Sequence, residues 1–450
     1  MDIVIAGAGK VGEELCCDLS KENHNIILIE LNETRLDQLT NMYDIGGVLG
    51  NGGIYDVQAE AGVNDCDIFI AVTPNDETNI IAAITAKKLG AKYTIARVRN
   101  PDYFKQMNFL RESLGISMMI NPELEAAHDI VRMLMFPAAL NVEYFEQGRV
   151  NMVEVVLQSD APMAGMKLKD YNGRYGNVLI CIVVRGDKVL IPDGETRLEA
   201  GDHVMVTGSN ADVTTFCRHN QHRLSKISSV LIIGGGKLTH YLLSLLVKTQ
   251  IRIKVIEADS SIADKLAADF PQAEIIFGDG TKQMFLNEER FTDYDSVISL
   301  LGIDEENILI SIYASRMGVE KTITKVNRTD LLKVLDNVGL QSIVTPQQLI
   351  ADQIIRFVRS TENTLGSNIN AFYRLANGRV EVLQFHVKET SRTLYTPLTE
   401  LSIKPGLLIA CIIRENSLIY PSGSDMILPG DDVIIVTTNK NFQNIDDIIK

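Results

Sequence analysis

The 450-residue sequence has no apolar run approaching the ~18 residues that span a bilayer. Its longest are short, such as VLICIVV at 178–184 and LLIACII at 407–413. Nor is it basic: 43 Lys and Arg face 58 Asp and Glu, a formal net charge of −15. That balance argues against nucleic acid as the main partner and against general attraction to anionic lipid. Cysteine is scarce, with six at positions 16, 17, 66, 181, 217 and 411 and no CxxC pair. Scattered cysteines in a long acidic chain read as reduced and mostly buried. The opening MDIVIAGAGK has no basic stretch, so no secretory signal is expected. What remains is a soluble cytoplasmic protein. Its 46% apolar content supports sizeable cores, and its length suggests two to four domains.

Several chemistries are missing as well. Lys10 and Lys237 each follow a glycine-rich turn, but neither precedes Ser or Thr, so there is no P-loop. No tyrosine has a lysine four residues later, which excludes a Tyr-x-x-x-Lys reductase site. His24 and His203 read as loop or surface residues. Cys217, His219 and His222 in CRHNQHR offer three potential metal ligands but lack a fourth, so no metal site is expected. No catalytic residue is assigned.

What is present is present twice. Gly7 and Gly9 recur as Gly234 and Gly236, and Glu30 recurs as Glu257, all at a shift of 227. PNDETNI at 74–80 matches GIDEENI at 302–308, and IPDGETRLEAGDHVMV at 191–206 matches YPSGSDMILPGDDVIIV at 420–436. A constant shift over such a length marks an internal duplication. The first part of each unit alternates short apolar strands with segments of helical spacing. That pattern predicts a doubly wound, parallel, Rossmann-like sheet with helices on both faces. A helix follows at 122–136, with its counterpart at 346–360. Its stripe of Ile130, Val131, Leu134 and Met135 must be buried against a second subunit or the sister repeat. The second part of each unit, 176–208 and 405–438, is strand-rich with turn signals, a small α+β lobe. The polar stretch 217–229 reads as the joint between units. The expected lobes are 1–137, 138–224, 225–360 and 361–450.

GAGKVG places glycines at 7, 9 and 12 after a strand and before a helix, with Glu30 at the end of the next strand. That context predicts a dinucleotide site. Gly7 permits the turn, Gly9 lets a pyrophosphate approach, and Gly12 lets the helix pack closely on the sheet. The helix start supplies free amides. Lys10 either neutralises phosphate or is simply solvated. Glu30 would accept from ribose hydroxyls and repel a 2′-phosphate, favouring NAD(H) or an adenine nucleotide; its bland alternative is an exposed acid. Thr73 and Pro74 follow the fourth strand at its ligand-binding end. Asp76 and Glu77 suit a helix start. Arg97 in the fifth strand calls for an anion, either a bound phosphate or an acid such as Glu30. In the second copy Thr239 replaces the last glycine, Lys325 replaces Arg97 and GDGT at 278–281 replaces GNGG. Thr239 is expected to push the helix start outward and weaken that turn's hold on a pyrophosphate.

The order GAGKVG, Glu30, LGNGG, AVTPNDETN and ARVRNPDY resembles the RCK (KTN) nucleotide-binding domain. The strand-rich lobes, with PDGETRLEAGD and PSGSDMILPGDD, are similar to the RCK C-terminal lobe. Two tandem copies resemble the TrkA family, cytosolic regulatory subunits of Trk-type potassium uptake systems. The resemblance implies binding of NAD(H) and of ATP or ADP. It also implies a homo-oligomeric ring, a dimer or tetramer of tandem-RCK chains, on the inner face of the cell membrane. There the ring would gate a TrkH-type potassium-translocating subunit. By matching residues, the first site would comprise Gly7, Ala8, Gly9, Lys10, Val11, Glu30, Thr73, Pro74 and Arg97. The second would comprise Gly234, Gly235, Gly236, Lys237, Leu238, Glu257 and Lys325. The competing reading is an NAD-dependent oxidoreductase, since a Rossmann lobe by itself specifies no chemistry.

Overall fold

A computed structural model describes the chain except for residues 23, 105–106, 137–140, 146–149, 221–226, 329–339, 341, 364–368, 377–378, 416, 440–441 and 443. The chain opens with β1 (Asp2–Ala6), α1 (Lys10–Leu19), β2 (Asn25–Glu30), α2 (Glu33–Tyr43), β3 (Gly46–Leu49), α3 (Tyr55–Glu60) and β4 (Ile68–Ala71). It continues through α4 (Asp76–Leu89), β5 (Tyr93–Arg97), α5 (Pro101–Phe104), α6 (Met107–Leu114), β6 (Met118–Ile120) and α7 (Pro122–Met135). The strands form one parallel sheet in the order β3-β2-β1-β4-β5-β6. In β1, Ile3, Val4, Ile5 and Ala6 are all buried, so both faces are covered. That is why the strand reads as a continuous apolar run rather than an alternation. Strand order reverses between β1 and β4, which leaves a crevice beyond their C-terminal ends.

Next come β7 (Asn141–Phe145), β8 (Val150–Val156), β9 (Leu179–Arg185), β10 (Lys188–Leu190), β11 (His203–Thr207) and α8 (Asn210–Asn220). These strands make an antiparallel sheet, β10-β9-β11-β8-β7. The second repeat restarts with β12 (Ser229–Ile233), α9 (Lys237–Leu246), β13 (Arg252–Glu257), α10 (Ser260–Asp269), β14 (Glu274–Phe277) and α11 (Gln283–Glu288). It proceeds through β15 (Ser296–Ser299), α12 (Asp304–Arg316), β16 (Lys321–Lys325), β17 (Ser342–Val344) and α13 (Pro346–Asn363). Its sheet order, β14-β13-β12-β15-β16-β17, repeats that of the first. The last sheet runs β18 (Ile369–Leu375), β19 (Val380–His386), β22 (Asp432–Thr437), β20 (Leu407–Arg414) and β21 (Ser417–Ile419).

Like parts of the two repeats pair with each other. One compact unit is Met1–Val131 with Ser228–Ile355, and the other is Arg132–Ile227 with Arg356–Lys450. The first unit therefore holds both Rossmann lobes. In the second, Val150, Met152, Cys181 and Met205 share one apolar core with Val380, Val382, Cys411 and Ile434. Among the described residues, no helix is long and apolar enough to cross a membrane.

Three local expectations change. The segment 217–229 is not simply a joint: α8 runs to Asn220, and Val213, Phe216 and Cys217 are buried on it. Cys217 belongs to an apolar core and His219 Nδ1 donates to Thr215 O at 2.8 Å, while His222 lies outside the described residues. On α7, Ile130 and Leu134 are buried, but Met135 is 61% exposed and falls off the stripe. The His24 side chain is buried beside Glu22, while His203, at the start of β11, stays at the surface with its side chain 43% exposed.

Candidate functional site

The first glycine turn is built by steric exclusion. Gly7 has φ +109°, a conformation that side chains resist. A Cβ there would also come within 2.9 Å of Thr73 N. Gly9 caps α1, and a Cβ on it would meet nothing within 4 Å. The helix-start amides therefore open onto free space, where an anion is favoured. A Cβ on Gly12 would lie 1.9 Å from Gly7 O, so the turn and α1 are in contact through that glycine. Ala8 and Val11 are buried, and Lys10 is exposed at the mouth. Glu30 braces the turn: Oε2 accepts from Ala8 N at 2.7 Å and Oε1 from Asn32 N at 3.0 Å. Arg35 closes the outer side, its Nε donating to Ala8 O at 3.2 Å and its guanidinium pairing with Glu13.

The second turn repeats this plan. Gly234 has φ +103°. Gly236 caps α9 with φ −65° and ψ −175°, against −70° and −175° at Gly9, and space above it is again open. Gly235 N donates to Glu257, whose other oxygen accepts from Asp259 N at 2.8 Å. Leu238 is buried and Lys237 is exposed. Thr239 does not spoil this helix start, contrary to the sequence expectation. Its hydroxyl donates to Gly234 O at 2.5 Å, which accommodates the branched side chain inside the turn. The first helical bond closes in both copies, Glu13 N to Gly9 O at 2.9 Å and His240 N to Gly236 O at 3.1 Å.

Beyond β4, one buried amide fixes the crevice. Asn79 Oδ1 accepts from Thr73 N at 2.8 Å and Thr73 Oγ1 at 2.7 Å, and its Nδ2 donates to Thr73 O and Arg97 O. Asn307 clamps Leu301 to Lys325 O in the same way. Asp76 accepts from Arg99 N and Asn100 N, both at 2.9 Å, so it holds the β5 loop as well as starting α4. Pro74 is exposed, and its carbonyl accepts from the Arg99 guanidinium at 2.9 Å. Arg97 does not pair with Glu30. It donates to Thr73 O at 2.6 Å, and its buried Nε has no partner. Burial, reinforced by the charge of Arg99, pulls its pKa down to about 10. Lys325 Nζ donates to Leu300 O at 3.1 Å, and burial lowers its pKa too.

These cations converge. A cleft of about 200 Å³ between the two Rossmann lobes is lined by Arg97, Arg99 and Glu123 of the first and by Gly236, Lys237 and Lys325 of the second. Arg97, placed with the first turn on sequence grounds, thus lines a cleft with the second turn. Around it, Arg97 Nε, Arg99 Nε, Glu123 Oε2 and Gln347 Oε1 are buried without hydrogen-bond partners. Unsatisfied buried polar atoms are costly, and four on one cleft mark a place built for a polar ligand. Burial raises the Glu123 carboxyl, opposed by Arg99 at 3.8 Å. The cleft carries four cationic groups against that one carboxyl, so it favours an anion.

Sequence reasoning gave Asn79 no role and missed Arg35, Arg99, Glu123 and Gln347. The aligned PNDETNI and GIDEENI blocks carry a signal for the first, since Asn79 and Asn307 coincide at the repeat shift. No local pattern marks the others: Arg35 reaches Ala8 O from 27 positions away in the same lobe, and Arg99, Glu123 and Gln347 line a cleft formed only when the lobes pair.

The TrkA-N domain family matches residues 3–122 and 230–346, and the TrkA-C domain family matches 152–220. A Trk system potassium uptake protein, TrkA homolog 2 of Methanosarcina mazei, is 30% identical with both chains covered in full. The protein of that system from Vibrio alginolyticus is 27% identical over 98% of this chain and 97% of its own. Among solved structures, the GsuK RCK domain superposes with a TM-score of 0.63 at 16% identity, covering 97% of this chain and 92% of its own. The GsuK channel bound to NAD gives 0.62 at 16%, covering 97% and 76%. At these identities the structural likeness concerns the fold.

Proposed function

Because the chain belongs to the TrkA family, we propose that it is a nucleotide-binding regulatory subunit of a potassium uptake system. It assembles as a ring of tandem chains on the cytoplasmic face of a TrkH-type translocating subunit and gates it. NAD(H) and ATP or ADP are the ligands. The observation that carries this reading is the cationic cleft, lined by Arg97, Arg99, Lys237 and Lys325 together with Gly236 at the open start of α9.

The residues suit the phosphates of such ligands. Both helix starts present free amides to open space, and Arg97, Arg99, Lys237 and Lys325 supply charge. At about 200 Å³ the cleft is smaller than the ~300–1,000 Å³ that encloses a drug-sized ligand. It accommodates the phosphate end of a nucleotide, with the base lying outside. Glu30 and Glu257 each retain acceptor capacity for ribose hydroxyls while bracing their turns. The cleft lining offers charge and amides but no thiol, hydroxyl or imidazole, which suits binding rather than catalysis.

Gating then requires a ligand with different affinities for two arrangements of the lobes. The test is potassium flux through the reconstituted membrane subunit with this chain, under NADH, NAD, ATP and ADP, using wild type, Gly9→Asp and Gly236→Asp. Each carboxylate would occupy one phosphate approach. The reading expects ligand-dependent flux that at least one variant abolishes. Flux indifferent to every ligand, or steady NADH oxidation with a small carbonyl compound, would overturn it.

A further inference from the structure

A phenol bridges the two Rossmann lobes. Tyr241 lies on α9, one turn after Lys237, and is 4% exposed. Its hydroxyl donates to Arg99 O at 3.2 Å and accepts from Asn121 Nδ2 at 2.8 Å. Both partners belong to the other lobe. Arg99 follows β5 and lines the cleft, while Asn121 caps α7 through Oδ1, which accepts from Leu124 N at 3.1 Å. The counterpart of Tyr241 in α1 is Glu14, which has neither the ring nor a hydroxyl donor when ionised. The joint is therefore specific to one of the two repeats.

We infer that Tyr241 is the positioning residue that couples occupancy of the second-turn cleft to the first lobe. It fixes the Arg99 loop and the start of α7 relative to the helix that carries Lys237. The inference rests on the nucleotide reading of the cleft and names how that site is linked to its surroundings. The Arg99 side chain is already drawn three ways: to Pro74 O at 2.9 Å, to Glu123 at 3.8 Å and to Asp76 at 3.9 Å. A phosphate between Lys237 and Arg99 competes with these contacts. The Arg99 carbonyl is held by the phenol, so the loop cannot follow the phosphate independently of α9. Any change in the loop reaches the α7 cap through the same oxygen. The coupling is reciprocal: what ATP does to the loop, a perturbation of the loop does to ATP affinity.

The test is residue-resolved amide exchange on the full chain, wild type and Tyr241→Phe, without ligand and with ATP. The amides to follow are Asn100, which donates to Asp76 Oδ2 at 2.9 Å, and Leu124 on the α7 cap. Without ligand, the variant exchanges roughly tenfold faster at both, the scale of losing hydrogen bonds at a local joint. With ATP, wild type gains protection at the start of α9, at Asn100 and at Leu124 together. The variant gains it at α9 alone. A second variant, Asn121→Asp, keeps the acceptor for Leu124 N but turns the phenol away from Arg99 O, so Asn100 loosens and Leu124 does not. Unchanged exchange at both amides in unliganded Tyr241→Phe overturns the inference, as does equal ATP-induced protection in variant and wild type. If ATP leaves wild type unaltered, the nucleotide reading of the cleft fails, and the unliganded comparison alone decides the coupling.

Discussion

Replacing Arg97 with Met should separate ligand binding from stability. The guanidinium is buried at the end of β5 with one hydrogen bond, to Thr73 O at 2.6 Å, and no carboxylate partner among the described residues. Burial brings its pKa down to about 10 from an ordinary value above 12. At about 1.36 kcal/mol per decade, that is roughly 3 kcal/mol against holding the charged form in the fold. Solvent at the cleft mouth screens part of it, leaving about 1–2 kcal/mol. The sign is that of a depressed base: the penalty is complete below pH 10 and is relieved only as pH rises through the folded value. Met keeps the apolar stem and removes the charge. It forfeits one hydrogen bond, about 1 kcal/mol, to a carbonyl that Asn79 still serves at 3.0 Å. The unliganded protein should therefore be unchanged or up to about 1 kcal/mol more stable at pH 7. Losing a charge-assisted bond to phosphate should weaken ATP at least about tenfold. At an ATP concentration 100 times the wild-type Kd, the stabilisation should fall from about 2.7 to about 1.4 kcal/mol. Thermal unfolding with and without ATP, alongside calorimetric titration, reads both quantities. A variant that is clearly destabilised without ligand yet binds ATP as before would show that Arg97 serves the fold and not the ligand.

Gly12→Ala should cost about 1–3 kcal/mol, because the new Cβ would lie 1.9 Å from a backbone carbonyl that the turn holds in place; an unaltered melting temperature would mean that the turn opens freely. Glu30→Ala should weaken NAD(H) by about 1–3 kcal/mol and narrow its advantage over NADP, as measured by parallel titrations; a constant affinity ratio would remove Glu30 from the site. Asn79→Leu should destabilise the first lobe by about 2–4 kcal/mol, since it strips the partner from buried Thr73 N and loosens the β4 and β5 loops. Chemical denaturation is the check, and a change within 0.5 kcal/mol would show that water replaces the amide.

The Rossmann lobes were legible because their signal is local. Continuous apolar strands, glycines with a fixed spacing and a strand-end acid each reflect a steric or hydrogen-bonding demand met within about thirty residues. The repeat shift supplied the duplication without any structural knowledge. What escaped depends on partners distant in sequence. The α7 stripe showed that Leu134 needed cover, but Met135 beside it reads the same in sequence and is exposed. Arg97 announced an unmet charge, yet nothing nearby says that the helix start it faces belongs to Gly236 and not to Gly9. The composition of 217–229 suggests a joint, and Cys217, buried at the end of α8, escapes because its neighbours there are polar. Thr239 was misjudged for a different reason. Its β-branch reads as bulk, whereas its hydroxyl meets the carbonyl that a methyl group would strike.

The chain carries two copies of one turn, and they are not interchangeable. Two identical lobes would have to place the same side chain on both sides of their shared cleft. In one chain each side is free to differ. Arg97 and Lys325 are counterparts in the repeat and line one cleft, a guanidinium able to bind two phosphate oxygens facing a single ammonium. Arg35 braces the first turn, and Ile262 stands at its counterpart. Tyr241 joins the lobes where Glu14 lacks the phenol. A ligand shifts an equilibrium only by its difference in affinity between the two states, however tightly it binds either one. Symmetric sites would respond to any nucleotide in the same way twice. If the proposed nucleotide reading holds, unlike sites let two ligands favour different arrangements of the same lobes, which two identical sites could not do.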